Sequence, residues 1–360
     1  MIKLSLENMI INKRKVNNEP LIDTYQDITN YGIIAQFSRT WSLEEIMAKK
    51  LPKIIKEIRK YKPRDTDYRF EKTISYSQMS MFRACNHKWQ LQYKEGNYLY
   101  QPSIHFIFGT AMHETVQQYL TVMYDETDTA ADNLDLVDIF ETKLRDLYAA
   151  EYKKNTKTHF SSAEELREFY EDGLNILTYL KKNKKKYFSK RGWFLVGCEV
   201  PIVLNPNKLY KTVLYKGYLD LVLYHEPTNT FTIIDFKTST RGWNDAAKKD
   251  EDKQFQLILY KQFFAEQFNV PVDSIDINFV ILKRKIYENA EYAQRYIQEF
   301  KPASGKVKVN KALDAMNNFI TSCFNTDGSY KDISHTPNPS AFNCKYCPYS
   351  SNNLCAFALS

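Results

Sequence analysis

The stretch Gly217-Tyr-Leu-Asp220-Leu-Val-Leu-Tyr224, followed after a short turn by Phe231-Thr-Ile-Ile-Asp235-Phe-Lys237, decides how this chain folds. Both pieces are strand-length runs of apolar, aromatic and β-branched residues, and the turn His225 to Thr230 makes them a hairpin. Each strand carries one aspartate among residues that belong in a core. A carboxylate there loses its hydration at high cost unless a positive charge meets it. The hairpin brings Asp220 and Asp235 toward one end of a sheet, where their summed charge suits a divalent cation completed by water and substrate phosphate. Lys237 lies two residues beyond Asp235 and leaves the strand on the same face. From there it can orient or deprotonate a metal-bound water and offset charge on a scissile phosphate. The plainer alternative for Asp-x-Lys at a strand end is an ordinary surface ion pair.

Two flanking segments add to this run. Gly109-Thr-Ala-Met-His113 opens a helix whose stripe is Met112, Val116, Tyr119, Leu120 and Met123. The glycine allows close approach of that helix, and the His113 imidazole at the stripe's edge can add a ligand. Downstream, a helix over residues 252–268 puts Gln256 and Tyr260 one turn apart on one face. Both can touch a nucleotide or Lys237. Taken singly, each of these residues reads as an ordinary half-buried polar group.

Strand patterns also cover residues 193–196, 199–204, 212–224 and 275–282, so the chain is expected to be α/β. Residues 125–190 read as a helical insertion, with helices at 134–154 and 164–187 and Ser161 and Ser162 each three residues before a Glu. Residues 1–70 form a polar extension of no assignable role. In it Ser42 and Glu45 make a capping box ahead of Leu43, Ile46, Met47 and Leu51, and Pro52 kinks or ends that helix. The segment from Ser77 through Phe82, Cys85, Trp89, Leu91 and Tyr93 has near-helical apolar spacing. Trp89 and Tyr93 are read as core residues rather than stackers on unpaired bases. The tail after residue 330, with Pro337, Pro339 and Pro348, reads as loop.

At 360 residues and 43% hydrophobic, the chain can bury a large core. The net charge of +7 is mild, but Lys181, Lys182, Lys184, Lys185, Lys186, Lys190 and Arg191 bunch together. That cluster is either a docking place for a polyanion or a solvated helix end. No segment has the order of a signal peptide, and none approaches the roughly 18 apolar residues of a membrane span. A Lys-, Asn- and Tyr-rich composition suits an AT-rich microbial or phage genome, so the expected location is the cytoplasm of a bacterial or phage-infected cell, with no membrane partner.

Six cysteines in such a chain point to metal ligation rather than a disulfide framework. Cys344-x-x-Cys347 with Cys355 eight residues on supplies three thiolates, and Cys85 a remote fourth. From the residues alone zinc is the default metal. Cys198 and Cys323 lie in apolar surroundings and are expected to be buried, inert thiols.

The ordered set Gly109-x-x-x-His113, Gly217-x-x-Asp220, Asp235-x-Lys237 and Gln256-x-x-x-Tyr260 resembles the RecB-type branch of the PD-(D/E)XK nuclease superfamily over residues 75–360. That resemblance implies a mixed central sheet flanked by helices, a restriction-endonuclease-like core, spanning residues 71–360. It implies His113, Asp220 and Asp235 as ligands of Mg2+ or Mn2+, Lys237 as the catalytic lysine, and supporting roles for Gln256 and Tyr260. Glu199 stands where relatives often carry an acid and is expected behind the ligands. Leu221 departs from the polar residue many relatives have after the first Asp. The cysteine distribution resembles the iron–sulfur staple of AddB-type helicase–nuclease subunits and of CRISPR-associated spacer-acquisition nucleases. It implies that Cys85, Cys344, Cys347 and Cys355 hold a 4Fe–4S cluster in the tail 330–360, with zinc as the alternative; the seven residues between Cys347 and Cys355 exceed the usual spacing. The implied activity is metal-dependent DNA hydrolysis, more in the manner of an exonuclease on single strands or duplex ends. Its setting would be recombination, repair or phage DNA processing, alongside a helicase or recombination protein. The competing reading is a non-catalytic, metal-stapled nucleic-acid-binding or scaffold subunit with a degenerate nuclease fold.

Overall fold

The computed structural model describes residues 51–66, 71–99, 101–287, 291, 294–351 and 354–359. The capping box of Ser42 and Glu45, with Leu43, Ile46 and Met47, lies outside the described residues. Six strands form one mixed sheet: β1 (Lys72–Ile74), β2 (Trp193–Leu204), β3 (Val213–His225), β4 (Thr230–Ser239), β5 (Ile275–Lys283) and β6 (Ile297–Phe300). The expected hairpin is β3 and β4, antiparallel from Leu221 opposite Ile234 to His225 opposite Thr230. β5 then runs parallel to β4, and β6 closes that side antiparallel to β5.

β3 is the spine, and one of its edges is divided. β2 follows the other edge from Leu204 opposite Tyr215 to Trp193 opposite His225. On the divided edge, β1 runs parallel along Val213–Tyr215 and β4 antiparallel along Leu221–His225. The two neighbours part between Tyr215 and Leu221, so the sheet forks at Gly217 to Asp220. The expected strands at 193–196 and 199–204 are one strand, β2, irregular between Leu195 and Gly197.

Helices cover both faces. On one side α4 (Ile104–Asp125), α5 (Asp128–Asp132), α6 (Leu136–Lys154) and α7 (Ala163–Tyr187) build a core with Leu221, Leu223, Ile234 and Phe236. The other core joins Val222, Phe231 and Ile233 to α1 (Lys53–Lys60), α2 (Tyr76–Ala84), α9 (Glu251–Phe268) and α10 (Lys306–Cys323). α3 (Asn86–Trp89), continued by a π-helical turn over Gln90–Lys94, brings Trp89 into that second core, fully buried as expected. α8 (Asp245–Lys249) follows β4. Alternation along β4 puts Ile234 and Phe236 toward the first core and Ile233 toward the second, the period of two a strand imposes. This is the mixed sheet flanked by helices that the sequence predicts.

Several local readings are corrected. Pro52 stands just before α1, where its fixed φ and missing N–H are tolerated, and the helix expected ahead of it lies outside the described residues. Gly109 lies inside α4, not at its start, because Ile104, Ile107 and Phe108 extend the buried face upstream. The tail is not all loop, since α11 (Ala341–Lys345) and α12 (Pro348–Ser351) form there, the first capped by the Ser340 hydroxyl on the Asn343 N–H at 3.0 Å. Ser162 caps α7 through the Glu165 N–H at 3.1 Å, as its spacing predicts. In the third turn of α7, Asp172 forms a buried pair with Arg284 at 3.1 Å, and Lys285 reaches the same carboxylate at 2.9 Å. Among the described residues no helix is long and apolar enough to cross a membrane.

Candidate active site

At the fork, side chains from both helical layers reach one point on the sheet. The Phe236 N–H donates to Asp220 Oδ2 at 2.7 Å, so β4 fixes the carboxylate of β3 directly. Asp235 Oδ2 and Lys237 Nζ are 2.7 Å apart, as expected for residues two apart on one strand face. Lys237 Nζ also donates to Gln256 Oε1 at 2.9 Å, and Gln256 Nε2 to the Tyr260 hydroxyl at 3.4 Å, so α9 presents both residues one turn apart. From the other layer, His113 Nδ1 stands 3.6 Å from Asp220 Oδ2. All six predicted residues therefore meet.

Both motif glycines have a packing reason. A Cβ on Gly109 would lie 3.3 Å from Thr238 Oγ1, so its absence lets α4 settle onto β4 beside the carboxylates. A Cβ on Gly217 would lie 3.0 Å from Tyr260 Cε1 and 3.1 Å from Tyr215 Cε1. Its absence admits the Tyr260 ring at the fork.

Burial dominates the electrostatics. It pushes Asp235 up to about 6, against the pull of Lys237 and with the repulsion of Asp220. Burial likewise raises Asp220, opposed by Lys237 and the Phe236 N–H. Burial, then repulsion from Lys237, holds His113 down at about 4, so at neutral pH its imidazole is uncharged and retains a lone pair. For Lys237 burial works against the charge, but Asp235 and Asp220 outweigh it and raise its pKa. In this arrangement Lys237 is an ammonium, a donor rather than a proton acceptor.

Two further residues belong here. Gln117, one turn beyond His113, donates to the Asp220 carbonyl at 2.9 Å and to Glu199 Oε1 at 2.7 Å. Glu199, expected behind the ligands, lies beside Asp220, between the pairs Cys198–Leu221 and Val200–Leu219, with φ at +51°. Burial and then the Asp220 charge raise its pKa strongly. The signals available in sequence were the i, i+4 step from His113 to Gln117 and a third carboxylate inside a strand-like run.

The four cysteines converge on a second place. Cys85, Cys344, Cys347 and Cys355 all line one pocket, together with His87, Pro337 and Pro339. The Asn338 N–H points at Cys85 Sγ from 3.5 Å. The Asn338 and Asn343 side-chain amides both donate to the Ala84 carbonyl, at 3.1 and 2.9 Å, strapping the tail to the end of α2. Cys85 is extended there, which divides the expected continuous helix into α2 and α3. Cys323 is buried as expected; Cys198 is half-buried, 3.5 Å from Thr121 Oγ1, and desolvation pushes its thiol up to about 12. In the lysine cluster, Lys184 is buried against Asp132 and Lys190 donates to the Glu126 carbonyl at 2.9 Å, so those two serve the fold.

Among the described residues no three His, Cys, Asp or Glu side chains are gathered closely enough to hold a metal ion by themselves. Mg2+ does not require such a cage, because it keeps several waters and is commonly bound by one or two carboxylates plus substrate phosphate. Asp235 Oδ2 is buried and, beyond its ion pair with Lys237, lacks a well-directed hydrogen bond. Asp220 and Asp235 thus fit a hard divalent cation, while the four thiols line one pocket without being gathered closely enough to hold a metal ion.

No curated protein matches the chain. The family model of the PD-(D/E)XK nuclease superfamily matches residues 73–355, a span that takes in the forked sheet from Thr73 onward, the helices from α2 to α12 and all four pocket cysteines. With its mixed six-stranded sheet and that match over most of its length, the chain belongs to the PD-(D/E)XK nuclease superfamily.

Proposed function

We propose that this protein is a Mg2+- or Mn2+-dependent deoxyribonuclease of the RecB type that acts as an exonuclease on single strands or duplex ends. The observation that carries the reading is the meeting of Asp220, Asp235, Lys237, Gln256 and His113 at the fork. Asp220 and Asp235 would hold the divalent cation, with His113 as a neutral third donor, and the bound ion would supply a water nucleophile at neutral pH and polarise the phosphate. Lys237, as an ammonium, donates to the attacking water or a phosphate oxygen and offsets the charge that builds in the transition state. Gln256 orients Lys237, and Tyr260 braces Gln256. Gln117 holds Glu199 and the Asp220 backbone in place. No side chain forms a covalent intermediate.

In the same reading residues 71–360 are the nuclease domain. The thiols of Cys85, Cys344, Cys347 and Cys355, which line one pocket, would hold a 4Fe–4S cluster and so clasp residues 330–360 to the end of α2. A place in recombination, repair or phage DNA processing, with a helicase or recombination protein as partner, follows from the same resemblance. The test is purification without oxygen, with iron and zinc measured and the visible spectrum recorded. Labelled single- and double-stranded DNA is then incubated with Mn2+ and wild type or Lys237→Ala. Metal-dependent cleavage by wild type alone supports the reading, and end-labelled products resolve exonuclease from endonuclease action. Equal degradation by both proteins would sink it.

A further inference from the structure

α4 buries nearly all its large apolar side chains; Val122 is half-buried, and only Phe106 is open. Ile104, Ile107, Phe108, Met112, Val116, Tyr119, Leu120, Met123 and Tyr124 are buried, while Phe106 is 51% exposed. Its position is not arbitrary. Residues 106, 110, 113 and 117 recur at the i, i+4, i+7, i+11 spacing that shares one helix face. Two of the other three serve the site: His113 faces Asp220, and Gln117 holds Glu199 and the Asp220 carbonyl. The third, Thr110, is half-buried and returns its hydroxyl to the Phe106 carbonyl at 3.2 Å. Exposure rises along this stripe from buried Gln117, through partly covered His113 and Thr110, to Phe106. The stripe thus leads out of the carboxylate site into solvent and ends on an open aromatic face. Seven residues of helix separate Phe106 from His113, about 10 Å along the axis.

We infer that Phe106 is a stacking platform for an unpaired nucleobase of the strand whose phosphate lies at Asp220 and Asp235. This rests on the nuclease reading of the site. Every base offers a π-face, so stacking holds a strand without reading its sequence, and it requires a base that is not inside a duplex. Phe106 would therefore favour single strands and frayed ends, and would act on binding rather than on the chemical step.

The experiment compares wild type, Phe106→Ala and Phe106→Trp on a single-stranded oligonucleotide and on the same length built of abasic nucleotides. Affinity is measured without divalent metal, and KM and kcat with Mn2+. Wild type should bind the base-containing strand more tightly than the abasic one, by about 5- to 100-fold. Phe106→Ala should close that gap, raising KM with kcat little changed, and Phe106→Trp should restore it with indole fluorescence quenched by the strand. An unchanged gap in Phe106→Ala, or an equal loss on both strands, would overturn the inference. If wild type cleaves nothing yet the gap and the quenching are present, the nuclease reading fails and the stacking site stands. If neither strand binds, both fall.

Discussion

Lys237 Nζ is held between Asp235 Oδ2 at 2.7 Å and Gln256 Oε1 at 2.9 Å, so a strand and a helix from opposite sides of one motif fix the same ammonium. The strand supplies the charge that keeps Lys237 protonated; the helix supplies direction. A lysine side chain has many rotamers, and a point held from two elements has few.

Removing the helix half of that grip should slow the chemistry while leaving the fold intact. Gln256→Leu is expected to lower kcat by about 10- to 100-fold, the usual effect of losing a residue that orients a catalytic group. Tyr260→Phe, which removes the 3.4 Å bond to Gln256 but keeps the ring, should cost less. Steady-state cleavage beside circular dichroism checks both; a Gln256→Leu enzyme with full kcat would contradict the assigned role.

Cation binding should strengthen as pH rises. Burial puts Asp235 at about 6, so below that pH a proton competes with the metal. Calorimetric Mn2+ affinity is expected to climb by up to about tenfold per pH unit for each proton displaced, then level off above neutrality. The stability sign is opposite. A folded pKa above the unfolded value means the metal-free protein binds more protons when folded, so its stability falls as pH rises from about 4 to about 6. Melting curves at pH 5 and 7 without metal, and again with Mn2+, would show the loss and its reversal.

Gly217→Ala should destabilise the fold and disable the site together. The added methyl meets two ring carbons, at 3.0 Å on Tyr260 and 3.1 Å on Tyr215, which cannot both yield in a packed core. Overpacking of this kind costs about 1–3 kcal/mol. Gly109→Ala, whose neighbour is the Thr238 hydroxyl at 3.3 Å, should be milder. Chemical denaturation of the two variants ranks them.

Asp172→Ala should be costly although it lies away from the carboxylates. Arg284 is buried against Asp172 at 3.1 Å, and removing the acid leaves Arg284 and Lys285 to share the half-exposed Glu168, which stands 4.0 Å from the guanidinium. Breaking such a pair costs about 3–5 kcal/mol. Denaturant titration gives the value directly.

The residues that meet at the fork were legible because charge in an apolar strand is anomalous and strand periodicity fixes its direction. Asp220, Asp235 and Lys237 meet that description, and Gln256 and Tyr260 follow from helical spacing. β1 was not legible: Lys72–Ile74 is too short to show a period, and its place is set by Val213–Tyr215 far along the chain. Nor was the break at Cys85, where the Asn338 and Asn343 amides take the Ala84 carbonyl that a continuing helix would use. Glu199 was half legible, as an acid in a strand, but its positive φ and its placement beside Asp220 depend on pairing with β3. α10 and β6 went unread although α10 buries Ala312, Met316, Phe319 and Ile320 at helical spacing.

The fork in the sheet separates the adjustment of the site from its chemistry. The gap between Tyr215 and Leu221 is bounded by β1, whose three residues hold no catalytic group. A change of pairing there would widen or narrow the fork beside Asp220 without replacing any of the side chains that meet at it. A substitution in Lys72–Ile74 therefore acts on the spacing of the fork while leaving Asp220, Asp235 and Lys237 themselves unchanged.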